Sequence, residues 1–171
     1  MKKLLLPIVL AIGVHGSANA ADGVIEFKGE IISPPCTLSP ANANIAVPLG
    51  TYTTDALSGK GTQTTAQNFD IILTNCSAEK YTSVETRFNF TADSADEQYI
   101  AINGADKASG VAIKLMEQDG SVIKPNTKSK AIPLPDNQGL NLSYKASYVS
   151  TEETVGEGSA NATGTFELLY Q

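Results

Sequence analysis

The sequence predicts an all-β domain, a sandwich built from short antiparallel strands. Three observations carry this. Apolar residues recur at every second position in one segment after another, the period of a half-buried strand. Turn-forming Gly, Pro, Asn and Asp fall between those segments at regular spacing, so that seven to nine strands fit the chain. Beyond the first 20 residues, no segment of ten or more shows the 3.6-residue period of a helix. The length of 171 residues fits one domain, with no internal repeat or linker.

Residues 1–20 read as a signal peptide. Lys2 and Lys3 form a positive start, and Leu4 to Val14 is an apolar run too short to span a membrane as a helix. Ala18-Asn19-Ala20 is a small-residue cleavage site, which sets the expected cut between Ala20 and Ala21. In the mature chain ten basic residues face 18 acidic ones, a net charge of −8 that argues against nucleic acid and anionic lipid as partners. The only histidine, His15, leaves with the signal. A Ser-His-Asp triad, a Cys-His pair and a His-ligated metal are thereby excluded from the mature protein. Carboxylate-only hydrolysis stays formally open, yet no pair of acids is set in apolar surroundings. The sequence therefore predicts no enzyme and no cofactor.

Residues 23–32 form the first predicted strand, with Gly23, Ile25 and Phe27 on one face and Val24, Glu26 and Lys28 on the other. Pro34-Pro35 breaks it, since proline removes a ladder donor. Cys36 and Cys76 are the two cysteines, and an even pair in an exported chain reads as a disulfide, with two free thiols as the alternative. Ile45 to Leu49 is a short predicted strand, and the Thr-, Gly- and Ser-rich residues 51–66 a loop. Gly59-Lys60-Gly61-Thr62 lacks the first glycine of a phosphate loop at the right spacing.

Phe69, Ile71 and Leu73 mark the next strand, and Val84, Thr86, Phe88 and Phe90 another. The acidic run 93–97 fits no EF-hand spacing and reads as a solvated turn. Asn103-Gly104 and Asp119-Gly120 are hairpin signals, the second joining 110–117 to 121–124. A short strand is expected near Ala131 to Leu134. The clearest alternation lies over 140–149, with Leu140, Leu142, Tyr144, Ala146 and Tyr148 facing one way. The last predicted strand runs from Gly158 to Gln171. Its face Gly158, Ala160, Ala162, Gly164, Phe166, Leu168, Tyr170 is small at the start and bulky and apolar at the end. A core strand that stops where the polypeptide stops leaves one neighbouring position that no later segment fills.

A glycine fourteenth from the C-terminus (Gly158), a penultimate tyrosine (Tyr170) and alternating apolar residues between them resemble the C-terminal signature of chaperone–usher pilins. Other stretches extend the resemblance over essentially the whole mature chain. They are Ala21 to Glu30, Pro35-Cys36 with Cys76, Val47-Pro48-Leu49-Gly50, Phe69 to Cys76, and Tyr148-Val149. The chain is similar to major subunits of type 1 and long polar fimbriae. The resemblance implies an incomplete immunoglobulin-like β-sandwich that lacks its last strand and is completed by a donor strand from another molecule. It implies a division into the signal peptide, a donor-strand extension over 21–32 and a pilin domain over 33–171. Gly23, Ile25 and Phe27 are implied as the donor face. Gly158, Phe166, Leu168, Tyr170 and Gln171 are implied as the groove that receives it and first contacts a periplasmic chaperone, which anchors the carboxylate of Gln171.

The partners implied are other copies of the chain, neighbouring pilins, the chaperone and an outer-membrane usher. The location implied is a fimbria on the cell surface, serving adhesion. A minor or adaptor subunit of the same system is the alternative; a tip adhesin needs a second domain for which the chain has no room. One departure from the family is the short N-terminus, where only Ala21 and Asp22 precede Gly23.

Overall fold

A computed structural model describes residues 25–31 and 33–171. The signal peptide, its cleavage site at Ala20–Ala21, and Gly23 lie outside the described residues. Contacts within the chain fall into two units, Met1–Ile32 and Ser33–Gln171. In the first, residues 25–31 belong to no strand. Ile25, Phe27 and Ile31 are 81%, 92% and 102% exposed. Burying such side chains is worth about 1.5–3 kcal/mol each, so the exposure is costly.

The second unit is all-β and antiparallel. Its strands are β1 (Thr37–Leu38), β2 (Gln67–Thr74), β3 (Ser83–Asn89), β4 (Ile100–Ala101), β5 (Val111–Glu117), β6 (Ile132–Pro133), β7 (Leu140–Ser150) and β8 (Thr165–Tyr170). They form a five-stranded sheet in the order β1-β2-β7-β5-β4 and a three-stranded sheet in the order β6-β3-β8. The alternation expected for β2, β3 and β7 is realised: Ile71, Leu73, Val84, Thr86, Phe88, Leu142 and Tyr144 are all buried. The Asp119-Gly120 turn forms with Gly120 at φ 88°, where glycine meets no steric penalty. Its returning arm is held by Glu117 and Ile123 amides donating to Ser121 and Leu115 carbonyls at 2.9 Å each.

Three expectations are corrected. The strand expected over 23–32 is absent from the described residues 25–31, which find no neighbouring backbone to pair with. Ile45 to Leu49 is not a strand, although its burial still alternates, with Ile45 and Val47 half-buried and Leu49 buried between exposed Ala46 and Pro48. Inward-facing side chains need only the core, whereas a ladder needs a neighbouring backbone, and Pro48 offers no donor. The terminal strand is also shorter than the Gly158–Gln171 expected. Only Thr165–Tyr170 makes a ladder, while Gly156, Ser159 and Asn161 make isolated bridges to Ser109, Lys107 and Asn103.

The two sheets meet around Tyr144, which is fully buried. Its ring lies 4.9 Å from that of Phe88 in an edge-on arrangement and 5.8 Å from that of Phe69. Its hydroxyl donates to Thr86 Oγ1 at 2.8 Å, and Ser129 Oγ accepts from the Thr86 amide at 2.8 Å. A buried hydroxyl left unpaired is expensive, so this network fixes how β7 sits over β3. Cys36 and Cys76 form the disulfide, linking the start of β1 to the end of β2, and both are buried.

Glu117 is only 8% exposed, and its Oε1 accepts from the Lys130 amide at 2.7 Å. Burial pushes its carboxyl above the ordinary value of 4.5, against the opposing pull of Lys130. The folded state then holds this proton more tightly than the unfolded state, so stability falls as pH rises above 4.5. Glu117→Gln keeps an acceptor for Lys130 and removes the desolvated charge. Its thermal midpoint is expected above that of the wild type at pH 7, with the difference fading below pH 4.5.

Candidate functional site

Among the described residues β8 pairs with β3 on one side only, in the register Val84↔Tyr170, Thr86↔Leu168 and Phe88↔Phe166. Gln171 and Ser83 exchange both hydrogen bonds, the Gln171 amide to Ser83 O at 3.0 Å and the Ser83 amide to Gln171 O at 3.1 Å. Hydrogen-bonded and non-hydrogen-bonded pairs alternate along an antiparallel ladder. Leu169, Glu167 and Thr165 therefore point their backbone groups at β3. Phe166, Leu168 and Tyr170 point theirs away, to the side where no strand lies among the described residues. The same three residues carry their side chains on the face toward the core. Each thus offers an N–H, a C=O and an apolar side chain to the same open edge.

That face is incompletely covered. Phe166, Leu168 and Tyr170 are half-buried, packed against the core cluster but not closed over, as are Ala160 and Ala162. A β7 residue facing the same core, Leu142, is fully buried. Tyr170 stacks at a tilt on Tyr81, with ring centroids 6.2 Å apart, and partial burial raises its phenol above the ordinary range. This face is therefore apolar and uncharged at neutral pH. The carbonyl-side oxygen of Gln171 also accepts from the Thr82 amide at 2.7 Å, which ties the end of β8 to the turn before β3.

The other end of the stretch opens into a cleft of about 570 Å³, lined by Gly50 to Thr54 and Leu57 on one side and Val155 to Asn161 on the other. Tyr148 closes its floor: its hydroxyl donates to Ala160 O at 2.9 Å, and its ring meets that of Tyr52 edge-on at 6.2 Å. Gly158 sits in this wall at φ 151°. A Cβ there would lie 2.4 Å from Ala108 N and 2.5 Å from Lys107 C, both backbone atoms that cannot step aside. Gly158→Ala is expected to cost about 1–3 kcal/mol by overpacking, read as a lower denaturation midpoint. The same change at Gly29, where nothing lies within 4 Å, should cost none.

The structure therefore brings Phe166, Leu168, Tyr170 and Gln171 together on one edge and places Gly158 at the far end of the same stretch. Of the implied donor face, Ile25 and Phe27 are exposed in the unpaired segment. Reading the sequence alone placed Tyr148 on the core face of its strand and in a family-like motif, but missed its contacts with Ala160 and Tyr52. It also missed the unladdered backbone of residues 45–50, whose alternation was visible but whose lack of a partner was not.

The sequence model of the family described as "Fimbrial protein" matches residues 25–171. The chain is 38% identical to the major MR/P fimbria protein of Proteus mirabilis, over 100% of both chains. It is 33% identical to long polar fimbria protein A of Salmonella typhimurium, over 100% of this chain and 98% of that one. Among solved structures, the P pilus rod subunit PapA superposes with a TM-score of 0.69 at 23% identity, covering 81% of this chain and 100% of that one.

Proposed function

Because this chain belongs to the fimbrial protein family, we infer that it is a structural subunit of a bacterial surface fimbria that polymerises by donor-strand exchange. The observation that carries the reading is the free edge of β8, where backbone groups and an apolar face stand open together. An exposed edge over an apolar groove drives association with another strand. Chaperone–pilin complementation is a standard instance of that mode of recognition.

In this reading residues 21–32 are the extension that one subunit donates, and 33–171 the domain that receives it. Gly23, Ile25 and Phe27 face the groove. Phe166, Leu168 and Tyr170 line it and pair with the incoming backbone. Gly158 shapes the shallow end, and Gln171 marks the end at which a periplasmic chaperone holds the carboxylate. The chaperone lends a strand first, and the next subunit's extension replaces it at an outer-membrane usher. Insertion removes Ile25 and Phe27 from water, about 1.5–3 kcal/mol each, and pairs the edge of β8 that meets no strand among the described residues. The product is a polymer on the cell surface, with no chemistry to perform.

The test is electrophoresis of the mature chain, residues 21–171, in detergent without heating. The expected result is a ladder of oligomers that collapses to monomer only on boiling. A stable monomer whose own N-terminus resists proteolysis would overturn the reading, because the extension would then complete its own domain.

A further inference from the structure

A domain that polymerises through one sheet edge must keep strands off its others. Among the described residues two of those edges are blunted in familiar ways. β6 contains Pro133 and is followed by Pro135, neither of which has an N–H to offer. β4 is two residues long, and the chain before it folds back along it, the Ala101 amide donating to Thr91 O at 2.9 Å. The outer edge of β2 is different. β2 runs for eight residues, yet β1 pairs there with Thr74 and Leu73 alone. Resting on the strand-exchange reading above, we propose that the Asn42 side chain closes this edge of β2 against the 21–32 extension of other copies, and so confines strand addition to β8.

The closure is built from the chain just after β1. The Ser39 amide donates to Ile72 O at 2.9 Å, so the even-numbered residues of β2 direct their backbone groups to this edge. The ladder stops there, because Pro40 has no N–H and opens a 3-10 turn, Pro40–Asn42. The Asn42 amide donates to Ser39 O at 2.8 Å, which holds the turn against β2. The Asn42 Nδ2 donates to Asp70 O at 2.9 Å, and its Oδ1 accepts from the Ile72 amide at 3.2 Å. One carboxamide thus takes the acceptor and the donor that a residue of a neighbouring strand would take. Asn42 is 6% exposed. A buried amide is costly unless both its groups are bonded, and here both are, to backbone that would otherwise stand open.

Without Asn42 this edge would attract a strand. Ile72 is 37% exposed beside it, and Phe69 on the inner face is only half-buried. Free N–H and C=O groups next to apolar side chains are what an added strand satisfies. The strand at hand is the extension. Its residues 25–31 belong to no strand in the lone chain, Ile25 and Phe27 stand exposed, and every subunit carries one. The contrast with β8 is direct. Asp70 and Ile72 have a side chain seated on their outward backbone groups. Among the described residues, nothing of the kind sits on Phe166, Leu168 or Tyr170.

The test uses polymers of the mature chain, whose β8 edges are already filled, so that further strand uptake reports on other edges. A fluorescent peptide of residues 21–32 is expected to bind the unaltered polymer only at its free end. Asn42→Ala polymers are expected to bind about tenfold more peptide per subunit, the effect of freeing two backbone groups for a new partner. Hydrogen exchange locates the change. The Ile72 amide should exchange about tenfold faster in Asn42→Ala and recover with peptide, while Ile71 and Leu73, whose backbones face β7, stay as they were. Asn42→Asp has the same shape and keeps the acceptor for Ile72 but loses the donor to Asp70. Its peptide uptake is expected to lie between the two, which keeps the test open should Asn42→Ala not fold. Folded variants that form the ladder but bind no more peptide than the wild type, or an Ile72 amide that exchanges in Asn42→Ala as in the wild type, would overturn the proposal. Loss of the ladder from the unaltered chain would instead overturn the strand-exchange reading on which it rests.

Discussion

Mature chains carrying Phe27→Asp are expected to run as monomers in unheated detergent gels, with the oligomer ladder absent. Phe27 is 92% exposed in the lone chain, so its loss costs the subunit no burial of its own. Its proposed value lies entirely in the junction. The substitution removes about 1.5–3 kcal/mol of apolar transfer and asks a carboxylate to enter an apolar groove. Burying an unpaired charge costs several kcal/mol more, enough to abolish insertion rather than weaken it. The variant keeps an intact β8 and can still receive a strand. Mixed with wild-type chains it should therefore act as a terminator, shortening the ladder in proportion to its share. Leu168→Asp gives the mirror case, a chain that can donate but not receive. If Phe27→Asp chains polymerise as the wild type does, the donor assignment fails.

Removing the disulfide is the second large effect. The bond closes a separation of 40 residues. Loop-closure entropy puts its contribution at about 4 kcal/mol. Against a total stability of about 5–15 kcal/mol this is a large fraction. The local structure gives the bond a further task. Cys36 stands immediately before β1, whose Thr37 and Leu38 pair with Thr74 and Leu73 at the end of β2. Ser77 donates to Pro35 O at 2.8 Å, and the Cys76 backbone bonds to Gln138 and Asn137 on either side. A two-residue strand has little ladder of its own, so the crosslink holds β1 on the sheet edge. The double variant Cys36→Ala, Cys76→Ala is expected to lose about 15 °C in thermal midpoint. Reductant should lower the wild-type midpoint by a similar amount and leave the double variant unmoved. A wild type indifferent to reductant under denaturing conditions would show that the bond contributes little.

Strand identity was legible because alternation is a local property. Phe69-Ile71-Leu73, Val84-Thr86-Phe88 and Leu142-Tyr144 each record which face meets the core, and those faces are the buried ones. The disulfide was legible because two cysteines in an exported chain admit one pairing. The half-polar, half-apolar face of β8 was legible for the same reason as its neighbours, and Phe166, Leu168 and Tyr170 fall on it together. Other features belong to the tertiary structure, since each depends on a second segment distant in sequence. Gly158 looked like a family signature, but its physical need is the Lys107–Ala108 backbone 2.4–2.5 Å from the missing Cβ. Tyr144 looked like one more core aromatic, yet its hydroxyl organises Thr86 and Ser129 of the opposing layer.

Ile45 to Leu49 shows the division most plainly. Its alternation correctly reported half-burial and wrongly implied a ladder, because hydrophobic periodicity registers contact with the core and is silent about hydrogen-bonded neighbours. Local alternation was enough to say which side chains face inward. Which backbones find partners was settled by packing between segments, which among the described residues leaves β8 with one edge unpaired, because pairing is a relation between two segments and no period within one segment encodes it.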